Sequence, residues 1–388
     1  MLYLDDELVL RYSHPYEIKM EVRLRHMYTI PMQFHNKTSN WAQTYAFEQH
    51  CPLEQVYKTI FPQHTLHMQA PRGLDPPRWP PICHYDEAFV ASIPHGRLAT
   101  GNCYVVTPDN KRLLDVELAY PYSFTRLPSP SFFEGTAAVL FWGWNIAEVA
   151  RTQDILGHWM FDILPRLCLL ERSGIPIDKY VIGKLSHSFQ YESLQMLGLH
   201  LDKLIQVDSN DFHLQAKTLV VPAVPVIIGK SPHWAFQFIR ERLQSMHSIQ
   251  PMKGYEKIYI TRKDAKMRYV LNEEEVMSLL ASKGYKCVAL TTLSVQEKIT
   301  LFASAKEIIA PIGSGNANLV FCQPDTKIIE LTPYSIVDDY FWRISCLAKL
   351  EYYEVICDVE LPPKPACGSD NLIVDTNKLK RTLELAGI

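Results

Sequence analysis

Ala310-Pro311-Ile312-Gly313-Ser314-Gly315-Asn316-Ala317-Asn318 is the stretch on which the reading of this chain turns. The apolar run Glu307-Ile308-Ile309-Ala310 leads into it with the length and composition of a buried strand. Residues 317–322 follow it and read as the start of a helix. Strand, glycine turn and helix start in that order suit an anion. Gly313 and Gly315 let backbone N–H groups come close to it, and the helix N-terminus aims a partial positive charge at the same point. A second apolar strand, Lys327-Ile328-Ile329-Glu330-Leu331, is expected to end in the carboxylate of Glu330, placed for ribose hydroxyls. A bound nucleoside diphosphate is the functional expectation. A plain structural turn has the same outline, because Gly313-x-Gly315-x-x-Asn318 is a degenerate fingerprint.

Working outward, alternating strands and helices flank this stretch. Strands are expected at 137–141, 180–182, 204–207 and 218–221, with helices at 158–172, 190–197 and 234–246. A second series follows a linker at 252–254. Its strands are at 257–261, 286–290, 307–310 and 327–331, and its helices at 273–283, 294–304 and 317–322. Two such series predict an α/β fold of two Rossmann-like parallel-sheet domains facing across a cleft, with ligands beyond the carboxyl ends of the strands. The expected divisions are an irregular N-terminal extension and Pro-rich linker (1–82), a first Rossmann-like domain on the acceptor side (83–250), a nucleotide-binding domain (251–335), and a helical C-terminal segment (336–388) packing back on the first domain. Within the first domain, 88–93, 102–107 and 112–116 read as a β-meander.

Composition narrows the function. The chain has 388 residues, 47% hydrophobic and 21% charged, with a net charge of −3. That is globular, and no basic field calls for nucleic acid. Nine cysteines, an odd count without a Cys-x-x-Cys, fit reduced thiols in the cytoplasm better than disulfides or a zinc site. Met1-Leu2-Tyr3-Leu4-Asp5-Asp6-Glu7 has no basic region before an apolar one, so no signal peptide is expected. The sequon Asn36-Lys37-Thr38 carries no meaning in such a compartment.

Two further clusters carry chemistry. In Gly157-His158-Trp159-Met160-Phe161-Asp162-Ile163-Leu164-Pro165-Arg166, His158 and Asp162 share a helix face, and Pro165 leaves the Phe161 carbonyl without its helical donor. A bend there would project a base into a cleft. The bland alternative is a helix pair in which Asp162 merely fixes the His158 ring. Tyr259-Ile260-Thr261-Arg262 ends a strand, and Arg268 follows shortly after. Two arginines suit a phosphate, since guanidinium is a bidentate donor that keeps its charge. The alternative is two solvated loop residues. Asn272, ahead of Glu273-Glu274-Glu275, is expected to be a helix N-cap.

Taken in order, these motifs resemble the family 61 glycosyltransferases, which include bacterial capsular polysaccharide biosynthesis proteins, plant xylosyltransferases and animal protein O-linked N-acetylglucosamine transferases. The resemblance is carried by Gly157 to Leu167, by Tyr259 to Arg262 with Arg268, Asn272 and Glu273, and by Pro311 to Phe321 with Ile329, Glu330 and Leu331. It spans about residues 86–355. It implies a GT-B architecture and an inverting transferase that uses a nucleotide-diphosphate sugar, usually a UDP-sugar, in surface or capsular polysaccharide biosynthesis. By position, Gly313, Ser314, Gly315 and Asn318 would line the donor diphosphate. Arg262 and Arg268 would be its basic partners and Glu330 the ribose contact. Asp162 is the favoured base, with His158 competing and Asn272 secondary. The chain departs from the family's Pro-His-Gly-Ala-Gly pattern at Ile312, where His is usual, and at Ser314.

No tightly bound cofactor is expected beyond the nucleotide-sugar co-substrate. With no Asp-x-Asp beside the donor turn, and Asp338-Asp339 reading as a helix start, a divalent metal is expected to be dispensable. The acceptor would be a glycan or a lipid-linked glycan, reached in the cytoplasm or at the inner membrane face, and an oligomer is compatible with this. Two rivals stand beside this reading. A non-catalytic nucleotide- or sugar-binding homologue would follow from the missing His at 312. A nicotinamide-dependent enzyme would share the glycines but leave Arg262, Arg268 and His158 without a purpose.

Overall fold

The computed structural model describes residues 9–12, 18–21, 28–29, 31–99, 103–117, 126–140, 152–224, 231–245, 250–336, 338–364 and 368–388. Parts of the expected elements at 102, 141 and 246 lie outside these residues. Two large sheets organise the rest.

In the second sheet the parallel strands run in the spatial order Lys286–Val288, Lys257–Ile260, Glu307–Pro311, Lys327–Pro333, Glu351–Val359. Counted along the chain this is 2-1-3-4-5, a doubly wound order whose direction of winding reverses between Lys257–Ile260 and Glu307–Pro311. The inner strands Lys257–Ile260, Glu307–Pro311 and Lys327–Pro333 are mostly apolar and buried, as strands covered on both faces are. Helix Val295–Ser304 is fixed by a capping box: Ser294 Oγ accepts from Glu297 N–H at 3.2 Å, and the Glu297 carboxylate accepts from Ser294 N–H at 2.8 Å.

The first sheet differs from the expected parallel domain. Its centre is parallel, in the order Leu204–Val207, Lys179–Gly183, Ser131–Val139, His213–Pro222, which is 3-2-1-4 along the chain. The meander strands then join it antiparallel: Ala88–Pro94 and Arg97–Ala99 both pair with His213–Pro222, and Tyr104–Val106 continues the sheet. The meander and the α/β series are thus one mixed ten-stranded sheet.

Other expectations change as well. Within 1–82, Tyr57–Phe61 and Phe34–His35 are strands of the first sheet, and Thr38–Glu48 is a helix whose Thr38 hydroxyl donates to Asp115 at 2.6 Å. The Pro-rich stretch is a strap. Arg72–Gly73 pairs with Tyr353 and Glu354 of the second sheet, and Arg78 forms an ion pair with the buried Glu354. The C-terminal segment does not leave the second sheet. Glu351–Val359 is one of its strands, and helix Thr376–Leu385 buries Leu379 and Leu383 against it.

The two sheets share a core. One hydrophobic cluster runs from Val139, Val181 and Val220 through Trp159 and Phe321 to Ile258, Ile308 and Ala310. The expected pair of separate lobes is therefore joined by a packed interior. Glu354 lies beside a second buried carboxylate, Glu330. Replacing Arg78 by Ala removes a cation from a mostly buried pair, a change that costs about 3 kcal/mol. A urea-unfolding midpoint of Arg78→Ala equal to the parent's would show that the strap adds no stability.

Candidate active site

Ligands in doubly wound sheets sit beyond the carboxyl ends of the strands, where the winding reverses. In the second sheet that place is flanked by the residues after Ile260 and after Pro311. Arg262 leaves one strand and Gly313 the other, and the two meet. A Cβ built on Gly313 would lie 1.9 Å from Arg262 Nη1. The Gly313 backbone is extended, at φ 174°. Glycine is needed here for close approach and not for its backbone freedom, and the guanidinium lies directly against the peptide. Arg262 Nη2 donates to the Met267 carbonyl at 3.1 Å.

Arg268 stands in the field of Arg262. Its backbone is left-handed at φ 58°, an uncommon state for a side-chain-bearing residue. Both arginines are half-buried, and the Nε of each is buried with no hydrogen-bond partner among the described residues. Burial, then the neighbouring Arg268, pushes Arg262 down to about 10, with Asp264 opposing. Burial also lowers Arg268. Both remain charged at neutral pH. Two like charges held together with donors unspent form a site that an anion would stabilise.

The expected helix after the turn is a 3-10 helix, Ser314–Phe321. Ser314 and Gly315 are half-buried at its start, while Asn316 to Phe321 are buried. Asn318 is 2% exposed and donates to the Gly315 carbonyl at 2.8 Å, so it braces the turn from inside and does not reach out of it. Ile312 is fully buried in the core. At this position the side chain faces the interior, so Ile in place of His is a packing difference and leaves the turn intact.

Glu330 is not at a strand end. The strand continues to Pro333, and Glu330 is 1% exposed. Its carboxylate accepts from Asn316 Nδ2 at 2.7 Å and from the Tyr352 hydroxyl at 2.6 Å. A carboxyl so enclosed is not offered to a ribose. Asn316 Nδ2 also donates to the Pro311 carbonyl at 3.3 Å, so Glu330 holds both ends of the glycine turn through one amide. Asn272 likewise departs from expectation. It occupies the N-cap position without capping, and its amide pairs with Val374, accepting from N–H at 2.9 Å and donating to C=O at 2.8 Å. That ties the helix Glu273–Ala281 to the C-terminal segment.

His158 and Asp162 follow the first strand of the parallel series in the other sheet. Pro165 breaks the ladder as expected, and the strain appears as a π-turn, Trp159–Ile163, in which Leu164 N–H reaches back to the Trp159 carbonyl at 3.0 Å. The wider turn sets His158 Nδ1 2.6 Å from Asp162 Oδ2. Asp162 is 1% exposed, whereas His158 is half-buried and open on one side. Burial raises the Asp162 carboxyl, opposed by its bond to His158 and by the charges of His158 and Arg166. Arg166, buried one turn on, is itself pushed down to about 10 by burial. Arg166 gave no signal in the sequence beyond standing four residues from Asp162.

Three short elements bring the halves together: the turn Leu156–His158, the 3-10 helix Ser314–Phe321 and the helix Tyr340–Leu347, which pack on one another. The Tyr340 hydroxyl donates to the Gly157 carbonyl at 2.8 Å, and its ring meets Phe161 edge-on. Of the acidic pair expected only as a helix start, Asp338 lies within the field of His158, while Asp339 pairs with Arg343. Among the described residues, no three His, Cys, Asp or Glu side chains group as metal ligands, and no helix is long and apolar enough to cross a membrane.

Glu330 also has a consequence for pH. Burial, opposed by the bonds from Tyr352 and Asn316 and reinforced by the nearby Glu354 and Asp338, raises it from 4.5 to about 8; Arg268 is the cation facing it. Between these values the folded chain holds a proton that the unfolded chain has lost, so stability falls as pH rises. Glu330→Gln is expected to flatten that fall in unfolding free energy measured from pH 5 to 8. An unchanged slope would place the ionisation elsewhere.

Comparison with known proteins agrees with the motifs. A family model described as Glycosyltransferase 61 matches residues 156–329. Among solved structures, the chain is similar to the bacterial iron-containing dodecameric glycosyltransferase TibC from enterotoxigenic E. coli H10407, at 11% identity and a TM-score of 0.30, with 72% of this chain and 78% of that chain covered. No curated protein matches. The segment from 156 to 329, which carries the His158–Asp162 turn, both arginines and the glycine turn, is the part of the chain that matches the glycosyltransferase 61 family.

Proposed function

We propose that this chain is an inverting glycosyltransferase of the GT-B type, moving a sugar from a nucleoside-diphosphate sugar, a UDP-sugar by family resemblance, to an acceptor hydroxyl. The observation that carries the reading is the Arg262 guanidinium laid against Gly313, with Arg268 close by, where the winding of the second sheet reverses. A diphosphate there accepts from Arg262, Arg268 and the N–H groups at the start of Ser314–Phe321.

The dyad supplies the base. Asp162 was the favoured candidate, but its burial and its bond to His158 give it the orienting part. With Nδ1–H donated to Asp162, Nε2 is the ring atom that acts as base towards the acceptor hydroxyl. As Nε2 takes the proton, the acceptor oxygen forms a bond to the anomeric carbon, and the bond from that carbon to the phosphate oxygen breaks. The electron pair leaves on the diphosphate. The arginines and backbone donors meet that growing charge, each well-placed donor being worth roughly 3–4 kcal/mol. Asp162 holds the ring and its tautomer while imidazolium forms, with the buried Arg166 acting on Asp162.

The wider setting follows the same reading. The acceptor is a glycan or a lipid-linked glycan, the product a surface or capsular polysaccharide, and the place the cytoplasmic side of a membrane. Failure to co-sediment with membranes carrying such glycans would count against the lipid-linked acceptor.

Two measurements test the core of the proposal. A thermal-shift screen of UDP, GDP, CDP, TDP, CMP and NAD is expected to show stabilisation by one nucleoside diphosphate that Arg262→Ala abolishes; a response to NAD alone would overturn the donor site. In a transfer assay with the donor so identified, His158→Ala is expected to lower kcat by about 10²–10⁴-fold with little change in donor KM. Asp162→Asn should lower kcat also, by removing the negative charge that steadies the imidazolium and offering an amide N–H that favours the other tautomer of the ring. Full activity in His158→Ala would assign the base elsewhere.

A further inference from the structure

The glycine turn and arginines account for a diphosphate, and the dyad for the acceptor. The sugar between them has no partner among the residues so far discussed. Asp338 stands in that place. It precedes the helix Tyr340–Leu347, which packs against both Leu156–His158 and Ser314–Phe321. The Tyr340 hydroxyl on the Gly157 carbonyl, at 2.8 Å, pins this segment one residue from His158. Tyr340 N–H donates to Asp338 Oδ1 at 3.0 Å and fixes the direction of the carboxylate.

Asp338 is exposed, and it forms no ion pair among the described residues. Yet desolvation is the main influence on it and raises its carboxyl, with the Tyr340 N–H, Arg268 and His158 opposing and Asp339 reinforcing. The two facts agree for a carboxylate whose outer side meets water and whose other sides meet protein. Arg268, on the diphosphate side, and His158, on the acceptor side, both act on it. A carboxylate there can only accept hydrogen bonds, and sugar hydroxyls are the donors that a nucleotide-sugar brings to that span.

We infer that Asp338 is a specificity-determining residue that accepts a hydrogen bond from a hydroxyl of the transferred sugar. The inference rests on the transferase reading above and adds the group that reads the sugar. Its neighbour Asp339 has a different task. It binds Arg343 Nη2 at 2.5 Å within the helix, so of the acidic pair Asp338 alone is open to a ligand.

Asp338→Asn is the decisive variant, because the amide oxygen can still accept from Tyr340 N–H while the charge and one acceptor are lost. Thermal shift with UDP alone is compared with UDP-glucose, UDP-galactose, UDP-N-acetylglucosamine and UDP-xylose, and kcat/KM is measured for each sugar that transfers. Wild type is expected to respond to UDP and to discriminate among the sugars. Asp338→Asn is expected to keep the UDP response and lose about tenfold in the preferred sugar's advantage over its epimers. Unchanged sugar preference in Asp338→Asn overturns the inference, as does loss of the UDP response, which would mark a part of the phosphate site. Absence in wild type of a response to UDP and to every other nucleoside diphosphate would instead strike the donor reading itself, and a response to another of them moves the same comparison to that nucleotide and its sugars, so the two failures are told apart in the same screen.

Discussion

A short 3-10 helix, Ser314–Phe321, is driven between two sheets, and the site depends on how its buried backbone is satisfied. The last carbonyls of such a helix have no partner within it, and a buried orphan costs about 1–3 kcal/mol. Here they are met from the other half of the molecule: Arg240 Nη1 donates to the Val320 carbonyl at 2.9 Å and Gln244 Nε2 to that of Phe321 at 2.9 Å. Both donors stand on the helix His233–Gln244. The glycine turn at the other end of the 3-10 helix is thereby set in register with His158. Asn316 and Glu330 lock that turn from below, and Tyr340 locks the His158 turn from the side. The arginine-lined glycine turn and the His158–Asp162 pair are held to one another by polar bonds beside a shared apolar core.

The electrostatics follow from that rigidity. Arg262 and Arg268 are held near one another, and Arg268 sits in a left-handed backbone. Asp162, Arg166 and Glu330 are buried charges or near-charges with pKa values displaced by lost water. Each arrangement opposes folding on its own and persists because the surrounding packing over-determines it. Such groups gather at one end of both sheets, which is what a site prepared for anionic and hydroxyl ligands requires.

Much of this was legible in the sequence, for a physical reason. Strands buried on both faces are uninterrupted apolar runs, so Lys257–Ile260 and Glu307–Pro311 could be found within a residue or so. Arg262, Gly313, His158 and Asp162 were found because each lies at a strand end, in a glycine turn or on one helix face. What the sequence hid depends on distant partners. Pro165 predicts a disturbance, but not that it takes the form of a π-turn. Asn272 has the composition of a cap, and only Val374, a hundred positions away, reveals its bonding. Glu330 reads as a strand end until the strand is seen to run on, and Asp338 reads as a helix start until Tyr340 places it against Gly157. The meander's membership of the first sheet is a pairing over a hundred residues, which local pattern does not carry.

The strap at Arg72–Gly73 bears on how such a molecule could move. Chains of two sheets joined once can swing apart about a single hinge. Here the chain goes out to the second sheet at Arg72, returns by Ala88, and crosses again between Gln244 and Lys257. Three tethers define a plane, and rotation about any one of them stretches the others. A Cβ at Gly73 would come within 2.7 Å of the Glu354 carbonyl, so the strap has no slack where it docks. Under the transferase reading, exchange of substrate and product then falls to the loops that rim the strand ends and not to a swing of the two halves.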